Sequence, residues 1–506
     1  MSTTTPIVTP DDFYNRQLIE NLHPPAWVNP TPTGRYNLVV IGAGTAGLVS
    51  AAGGAALGAK VALIERHLMG GDCTNYGCVP SKAVIRSGRA AYAVREAPSF
   101  GISAQSGDQV DFPRVMERMR RLRAQISAND SVARFSKLGA EVYLGDAKFA
   151  GKHEIEIDGR RLSFSKAIIA TGARAASLDL SGLVEAGYLT NETVFSLERL
   201  PKTLLVIGTG PIGCELAHAF RRFGSEVIMV GRGNRLLPRD DTDAAEILRR
   251  RFEREGIRIL FGCKLIKAER AEGRRRVFLK RGNQEEIIVA DEILIAVGRK
   301  PNIEGLNAEV AGVKTVATGV LVDDLLRTSN PDIYAAGDIC SSHKFTHAAE
   351  AMARIAIQNA LFFGRKRVSD LVIPWSTYTD PEVAHVGITE IEAAKLGDEV
   401  ITFTKEFADT DRAILDGETE GYVRLYVNRK DGKMLGATIV GSHAGESIGE
   451  AVLAIKQKLK VGDLSGVIHP YPTQAEAIKR AADLQFRSRL KPWMRRLLDG
   501  YFRYRS

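Results

Sequence analysis

Cysteine is scarce in this chain, with five in 506 residues. That is too few to staple so long a sequence, and a small disulfide-built scaffold is excluded. Nowhere does an apolar run reach the ~18 residues a membrane-spanning helix needs. The first residues, MSTTTPIVTPDDFYNRQ, lack the basic n-region and apolar h-region of an export signal, so a cytoplasmic protein is expected. Acidic residues are somewhat short, giving a net charge of +9. The excess is local, however: residues 477–506 hold nine Lys or Arg against Asp483 and Asp499, which is +7 of the +9. The body is nearly neutral, so a broad basic face for nucleic acid is not expected.

What remains is an ordinary globular composition, 44% hydrophobic and 25% charged, in a chain long enough for three or four domains. Residues 1–35, rich in Pro and Thr, read as an extended N-terminal arm. An apolar strand, Asn37 to Ile41, then runs into Gly42-Ala43-Gly44-Thr45-Ala46-Gly47, an Ala-rich helix, and a second strand ending at Glu65. The unit recurs at Thr203 to Ile207, Gly208-Thr209-Gly210-Pro211-Ile212-Gly213, a helix to Phe223 and a strand Glu226 to Val230. Two βαβ units of one design predict two dinucleotide sites: glycines admit a pyrophosphate, a helix N-terminus supplies N–H donors, and Glu65 suits ribose hydroxyls. Between them, Phe112 to Ser136 has helical period, with Val115, Met116, Met119, Leu122 and Ile126 on one face. Past residue 370, alternation such as Gly421 to Val427 and the Lys430-Asp431-Gly432 turn predict an α+β domain.

In the second unit the strand is followed by Gly231 and Arg232 instead of an acid. A small residue and an arginine suit the 2′-phosphate of NADPH, although NADH is kept as an alternative and Arg232 also reads as a solvated loop charge. The segment Gly70-Gly71-Asp72-Cys73-Thr74-Asn75-Tyr76-Gly77-Cys78-Val79-Pro80-Ser81-Lys82 holds two of the five cysteines just ahead of a predicted helix. A thiol at a helix N-terminus has its thiolate stabilised, and a second thiol in reach makes a dithiol/disulfide switch. A zinc site would want four ligands, and no second Cys pair or His cluster accompanies them. No permanently bound metal is expected, though Cys73 and Cys78 could ligate a substrate metal.

These motifs resemble the class I pyridine nucleotide-disulfide oxidoreductases over about residues 36–480. Further matches are Ala170-Thr171-Gly172, Gly298-Arg299-Lys300-Pro301-Asn302, the run Thr328 to Asp338, and Tyr378 to Ala384. The resemblance implies an α/β flavoenzyme with two Rossmann-like domains and a C-terminal α+β dimerisation domain. Its expected divisions are 36–176 and 301–368 for FAD, 177–300 for NAD(P), 369–480 for the interface and 481–506 for a basic tail. FAD would lie on Gly42, Gly44, Gly47, Glu65, Gly71, Thr171, Gly172, Gly298, Gly337 and Asp338, beside Lys82. The nicotinamide cofactor would lie on Gly208, Gly210, Gly213 and Arg232. Lys82 would pair with Glu215 beside the nicotinamide. Hydride would pass through the flavin to the Cys73–Cys78 disulfide, with Cys78 facing the flavin and Cys73 the substrate.

The C-terminal motif departs from the family. Dithiol-handling members carry His-Pro-Thr and a Glu three residues on, the His acting as acid–base partner from the other subunit of a homodimer. Here the run is His469-Pro470-Tyr471-Pro472-Thr473-Gln474-Ala475-Glu476, with Glu476 in place and Tyr471 at the histidine position. A phenol near pKa ~10 is a poor base at neutral pH where imidazole near ~6.5 is well matched. His469, two residues away and on the same face of an extended segment, is the alternative base. A Tyr here resembles mercuric reductase, whose acceptor is a soft metal ion. That subgroup ends in a vicinal cysteine pair, whereas this chain ends in Tyr504-Arg505-Ser506. The expectation is therefore an oxidoreductase passing electrons to Hg(II) or a related acceptor. The alternatives are a dihydrolipoamide-dehydrogenase-like enzyme, a partner- or membrane-docked redox sensor, and transfer to a quinone or copper ion. The tail mixes cations with Trp493, Leu497, Tyr501 and Phe502, which suits an anionic membrane surface or acidic partner, or equally a helix packed on the dimer. His343 and His347 read as local hydrogen-bonding residues.

Overall fold

The computed structural model describes residues 8–103, 110–489 and 492–505. The chain forms two compact units, Met1–Arg232 with Gly256–Leu371, and Gly233–Glu255 with Val372–Ser506.

The first unit is built on a larger, mixed sheet and a smaller, parallel one. In the larger, the strand order is Ala140–Leu144, Val61–Glu65, Tyr36–Ile41, Arg160–Ile169, Glu154–Ile157, Ala147–Gly151, and Ile333–Ala335 also pairs with Arg160–Ile169. Tyr36–Ile41 pairs in parallel with both neighbours, Val39 lying opposite Ala62 on one side and Ala167 on the other. Its residues are almost all apolar and buried because both faces are covered: Leu38 and Val40 pack under helices, while Tyr36, Val39 and Ile41 pack against Phe149, Ile155 and Leu162 of the antiparallel strands and against Leu306 and Val313. One cover is Thr45–Ala56, which packs on Thr346–Leu361 so closely that a Cβ on Gly53 would lie 2.7 Å from Ile357 Cδ1. The smaller sheet has the order Arg258–Leu260, Glu226–Val230, Thr203–Ile207, Glu292–Ile295. A three-stranded antiparallel meander, Cys263–Ala271, Arg274–Arg281 and Gln284–Ala290, accompanies it. Both predicted βαβ units are thus present, and the class is α/β.

The second unit carries a five-stranded antiparallel sheet, ordered Trp375–Thr377, Glu382–Gly387, Met434–Gly441, Tyr422–Asn428, Val400–Glu406. The Lys430–Gly432 turn is the hairpin joining its central strands, with Asn428 Oδ1 accepting from the Lys430 and Asp431 amides. Helix Ala444–Lys456 packs across the sheet through Ala444, Ile448 and Ala451.

Two local expectations need correction. The N-terminal arm is not simply extended: Phe13–Leu22 is a helix capped by Asp12, whose side chain accepts from the Asn15 amide at 2.8 Å. Leu18 and Leu22, one turn apart, are fully buried in the core of the larger sheet. Two apolar anchors are too few for a period to show in sequence, and the helix is held by tertiary packing. Beyond it, Asn29 exchanges two hydrogen bonds with the Leu144 backbone, at 2.7 and 2.8 Å. Likewise the expected helix over 112–136 is two helices, Phe112–Ser127 and Val132–Lys137, because Ser131 caps a new start. On the longer one, Met116 and Met119 are buried as expected, while Ile126 is exposed.

Candidate active site

The cysteine segment folds as two helices end to end. Gly70 and Gly71, at φ +85° and +59°, turn the chain into the short helix Gly71–Asn75, which carries Cys73. Gly77 then breaks it, since a Cβ there would lie 2.9 Å from the Asp72 carbonyl oxygen. Cys78 is the first residue of the 19-residue helix Cys78–Glu96, where the dipole favours negative charge. Asn75 is buried beneath, its side-chain amide donating to Met69 O and Gly71 O at 3.0 and 2.8 Å. Arg123 pins it from outside, donating to Asn75 O at 2.9 Å and to Asn15 Oδ1 at 2.7 Å. The N-terminal arm is therefore tied to the cysteine segment through one guanidinium.

Both thiols are free, and they hydrogen-bond to one another. The Cys73 hydrogen bond, Lys82 and Thr346 together pull the Cys78 thiol down to about 6, against the pull of burial. Cys73 is pushed up, first by sharing its proton with Cys78 and then by burial. The pair thus separates into a thiolate at Cys78, the position at the helix N-terminus, and a protonated thiol at Cys73. Thr346 Oγ1 lies 3.4 Å from Cys78 Sγ. One turn into the helix, Lys82 Nζ reaches Glu215 Oε2 at 2.8 Å. Glu215 is buried on helix Pro211–Phe223 of the second βαβ unit, so the expected pair forms between the regions of the two sheets. Cys78, Val79 and Lys82 open onto a cleft of about 430 Å³ whose far side is Arg118 and Leu122.

The first glycine turn fits a dinucleotide. A Cβ on Gly47 would lie 1.7 Å from Gly42 O, so only glycine lets the helix approach the strand this closely. The helix Thr45–Ala56 begins at Gly44, which has no side chain to cap the first amides. Gly71 comes against Gly44, where its Cβ would be 2.6 Å from the Gly44 Cα, bringing the cysteine segment to the turn. Glu65 ends its strand buried, accepting from the Ala43 and His67 amides at 2.7 and 2.8 Å, with its carboxyl pushed up by burial. Thr171 Oγ1 donates to Asn302 O and Gly172 O accepts from the Asn302 amide, tying those turns together. Gly298 O accepts from the Ala176 amide at 3.0 Å, and Gly337 sits against Ala46 and Ala349. Asp338 is pushed up by burial, with Arg299 Nε 3.7 Å away and buried without a hydrogen-bond partner. That orphaned donor beside a carboxylate is consistent with a polar group completing the site.

The second turn repeats the design. A Cβ on Gly213 would lie 2.4 Å from Gly208 O, while Gly210 has open space around its Cβ position and caps its helix without a side chain. Arg232 is exposed, and Gly231 before it packs on Thr209.

In the second unit, His469, Tyr471 and Glu476 have separate surroundings. Tyr471 is 69% exposed and donates its hydroxyl to Asp411 Oδ2 at 2.8 Å, which pushes its phenol above the usual value. The His469 side chain is only 8% exposed and pairs through Nε2 with Glu450 at 3.0 Å. The shared face expected for an extended segment is absent: Pro470 and Pro472 bracket Tyr471 in a bend. Glu476 accepts from Arg480 at 3.0 Å.

Sequence reasoning missed Thr346, Asn75 and Arg123. Thr346 lies 268 positions from Cys78 and carries no local signal. Arg123 could have been suspected as a cation inside the apolar face of its helix. Among the described residues no three His, Cys, Asp or Glu side chains form a metal cage.

A family model described as pyridine nucleotide-disulphide oxidoreductase matches residues 36–353, and that family's dimerisation-domain model matches 373–482. A mercuric reductase of Lysinibacillus sphaericus is 36% identical over 448 residues, covering 88% of this chain and 82% of that one. A dihydrolipoyl dehydrogenase of Thermus scotoductus is also 36% identical, over 88% of this chain and 97% of its own. Among solved structures, the HOCl-induced flavoprotein disulfide reductase RclA from Escherichia coli superposes with a TM-score of 0.80 at 26% identity, over 89% of this chain and all of the other. Its Cu(II) complex gives the same values.

Proposed function

Because this chain belongs to the pyridine nucleotide-disulphide oxidoreductase family, and so is an FAD-dependent flavoprotein disulfide oxidoreductase using NAD(P)H, we propose that it delivers electrons from NADPH to a soft metal ion such as Hg(II). Bound FAD supplies the two-electron relay between nicotinamide and sulfur. Gly42, Gly44, Gly47, Glu65 and Asp338 would hold it, and the glycines from Gly208 to Gly213 would hold the nicotinamide dinucleotide. The hydrogen bond from Cys73, and then the positive charge of Lys82 anchored by Glu215, keep Cys78 as thiolate. Cys73 keeps the proton until an acceptor arrives. As both sulfurs take Hg(II), Cys73 gives its proton to solvent; the two thiolates close to the disulfide while Hg(II) takes both electrons and becomes Hg(0), and a hydride equivalent from NADPH reopens the pair as one thiolate and one thiol.

The observation that carries this reading is Tyr471. Disulfide substrates leave as thiols and need a proton donor and acceptor, a task that imidazole performs and a phenol held by Asp411 does not. A metal ion needs only the two sulfurs. The preference for NADPH rests on Gly231 and the exposed cation of Arg232. The matched dimerisation domain supports a homodimer, across which Tyr471 and Glu476 would reach the partner's sulfur pair.

A second reading rests on the buried His469–Glu450 pair, a carboxylate-oriented imidazole of the kind a dihydrolipoamide-type enzyme would use. Copper is a third acceptor to test, since the RclA relative has a Cu(II) complex. Anaerobic NADPH oxidation with Hg(II) in excess thiol, with Cu(II), and with oxidised lipoamide separates them, each repeated in Cys73→Ser. Rapid Hg(II)-dependent oxidation lost in Cys73→Ser is expected. Lipoamide turnover exceeding it would refute the reading and leave His469 as the base.

A further inference from the structure

Beyond the dimerisation-domain match, which ends at residue 482, the chain adds a helix, Pro492–Arg505, that the electron-transfer reading does not use. At ~100° per residue its side chains divide sharply. Trp493, Leu497, Tyr501 and Tyr504 form the middle of one face, with Leu498 and Phe502 at its flank. Arg495, Arg496 and Arg503 stand on the opposite face with Asp499, and Arg505 adds a cation beside Tyr501 at 5.7 Å. The apolar arc covers about half the circumference, as wide a stripe as a core-facing helix presents. Yet these residues are exposed: Trp493 57%, Leu497 64%, Tyr501 51%, Phe502 62% and Tyr504 91%.

We propose that this helix docks the enzyme on an anionic phospholipid surface, lying in the plane of the headgroups. Charge complementarity commits the proposal to lipid: the helix carries four Arg and one Asp, and the last thirty residues carry most of the chain's positive excess. An acidic protein would satisfy the arginines without burying so wide an apolar face. Trp and Tyr favour the headgroup level, and the arginine stems can reach back to the phosphates. Fourteen residues give ~21 Å, short of the ~30 Å hydrocarbon thickness, so the helix lies on the bilayer and does not cross it. In agreement, among the described residues no helix is long and apolar enough to span a membrane.

The test uses the FAD-loaded full-length protein, floated with phosphatidylcholine vesicles with or without 30% phosphatidylserine. Flotation with the anionic vesicles in 0.1 M salt, little with phosphatidylcholine alone and a fall at 1 M salt are expected. Each arginine near the surface contributes about fivefold to affinity, so Arg495→Gln with Arg496→Gln and Arg503→Gln should cost roughly a hundredfold. Leu497→Glu with Phe502→Glu should abolish flotation while NADPH oxidation is unchanged. The proposal is overturned if the wild-type protein does not float with anionic vesicles, or if the Leu497→Glu/Phe502→Glu variant floats equally well. A change of dimer mass in that variant would also overturn it, because the apolar face would then cover a second copy of the chain.

Discussion

The Cys78 thiolate can be tested alone, before any acceptor is chosen. In Cys73→Ser the serine hydroxyl still donates to Cys78 and only one thiol of the pair remains. With Cys78 at about 6, roughly nine-tenths is thiolate at pH 7, against about one-hundredth for a thiol at its ordinary value. Since the thiolate is the reactive form, iodoacetamide labelling of Cys78 should rise as pH increases through about 6 and level off above 7. Removing Lys82 alone would take from the buried Glu215 carboxylate the ammonium 2.8 Å from it and confound the Cys78 reading with a change in the fold. The clean perturbation is therefore Lys82→Met with Glu215→Gln. Loss of the lysine raises the Cys78 value and loss of the glutamate, which acts in the opposite sense and more weakly, lowers it; a net rise of roughly one unit is expected. Thr346→Val removes one long hydrogen bond of 3.4 Å and should raise it by about half a unit, the share of a net hydrogen bond near ~0.7 kcal/mol. Mass spectrometry of the Cys78 peptide reads the profile, and retained flavin absorbance reports folding. An inflection near 9 with Lys82 and Thr346 intact would refute the reasoning, as would an unchanged profile in both variants.

Three further outcomes follow from other parts of the chain. Tyr471→His should raise turnover of oxidised lipoamide by ~10²-fold or more, measured as NAD(P)H oxidation, while Tyr471→Phe leaves Hg(II) reduction within about twofold. Arg232→Gln should raise the KM for NADPH roughly tenfold and leave that for NADH unchanged; equal effects on both would return Arg232 to a solvated loop charge. Leu22→Ala, at a fully buried site in the N-terminal helix, should cost about 2–5 kcal/mol, read as a lower urea midpoint for flavin release.

What could be read in the sequence was whatever depends on neighbours along the chain. Gly42 and Gly47 are five residues apart and meet in the fold, so the motif and the contact are the same fact. The same holds for Cys73 and Cys78, and for the turn at residues 430–432. The Lys82–Glu215 pair spans 133 positions and was legible only through resemblance, which carries long-range contacts that periodicity cannot. Thr346, with neither a motif nor a neighbour to mark it, was invisible. The N-terminal helix failed for a related reason: its existence depends on the core that receives Leu18 and Leu22, while its own sequence is polar with Pro on both sides.

The bend at Tyr471 shows where a sound rule meets a local exception. Alternation along an extended chain would put His469 and Tyr471 on one face, and the choice of base between them would then be open. Prolines on both sides of Tyr471 fix their own φ and turn the chain, so His469 goes inward to Glu450 while Tyr471 stays outside against Asp411. Each side chain is thereby committed to a carboxylate of its own. Glu450 holds the His469 ring in place through Nε2 at 3.0 Å. Asp411 holds the proton on the phenol and makes Tyr471 a donor at neutral pH. For Tyr471 to serve as base it would have to leave Asp411 first, so Asp411→Asn should leave metal reduction unaltered if no proton passes through the phenol. A fall of tenfold or more in Hg(II) turnover for Asp411→Asn, with Tyr471→Phe unaffected, would mean that Asp411 itself handles the proton.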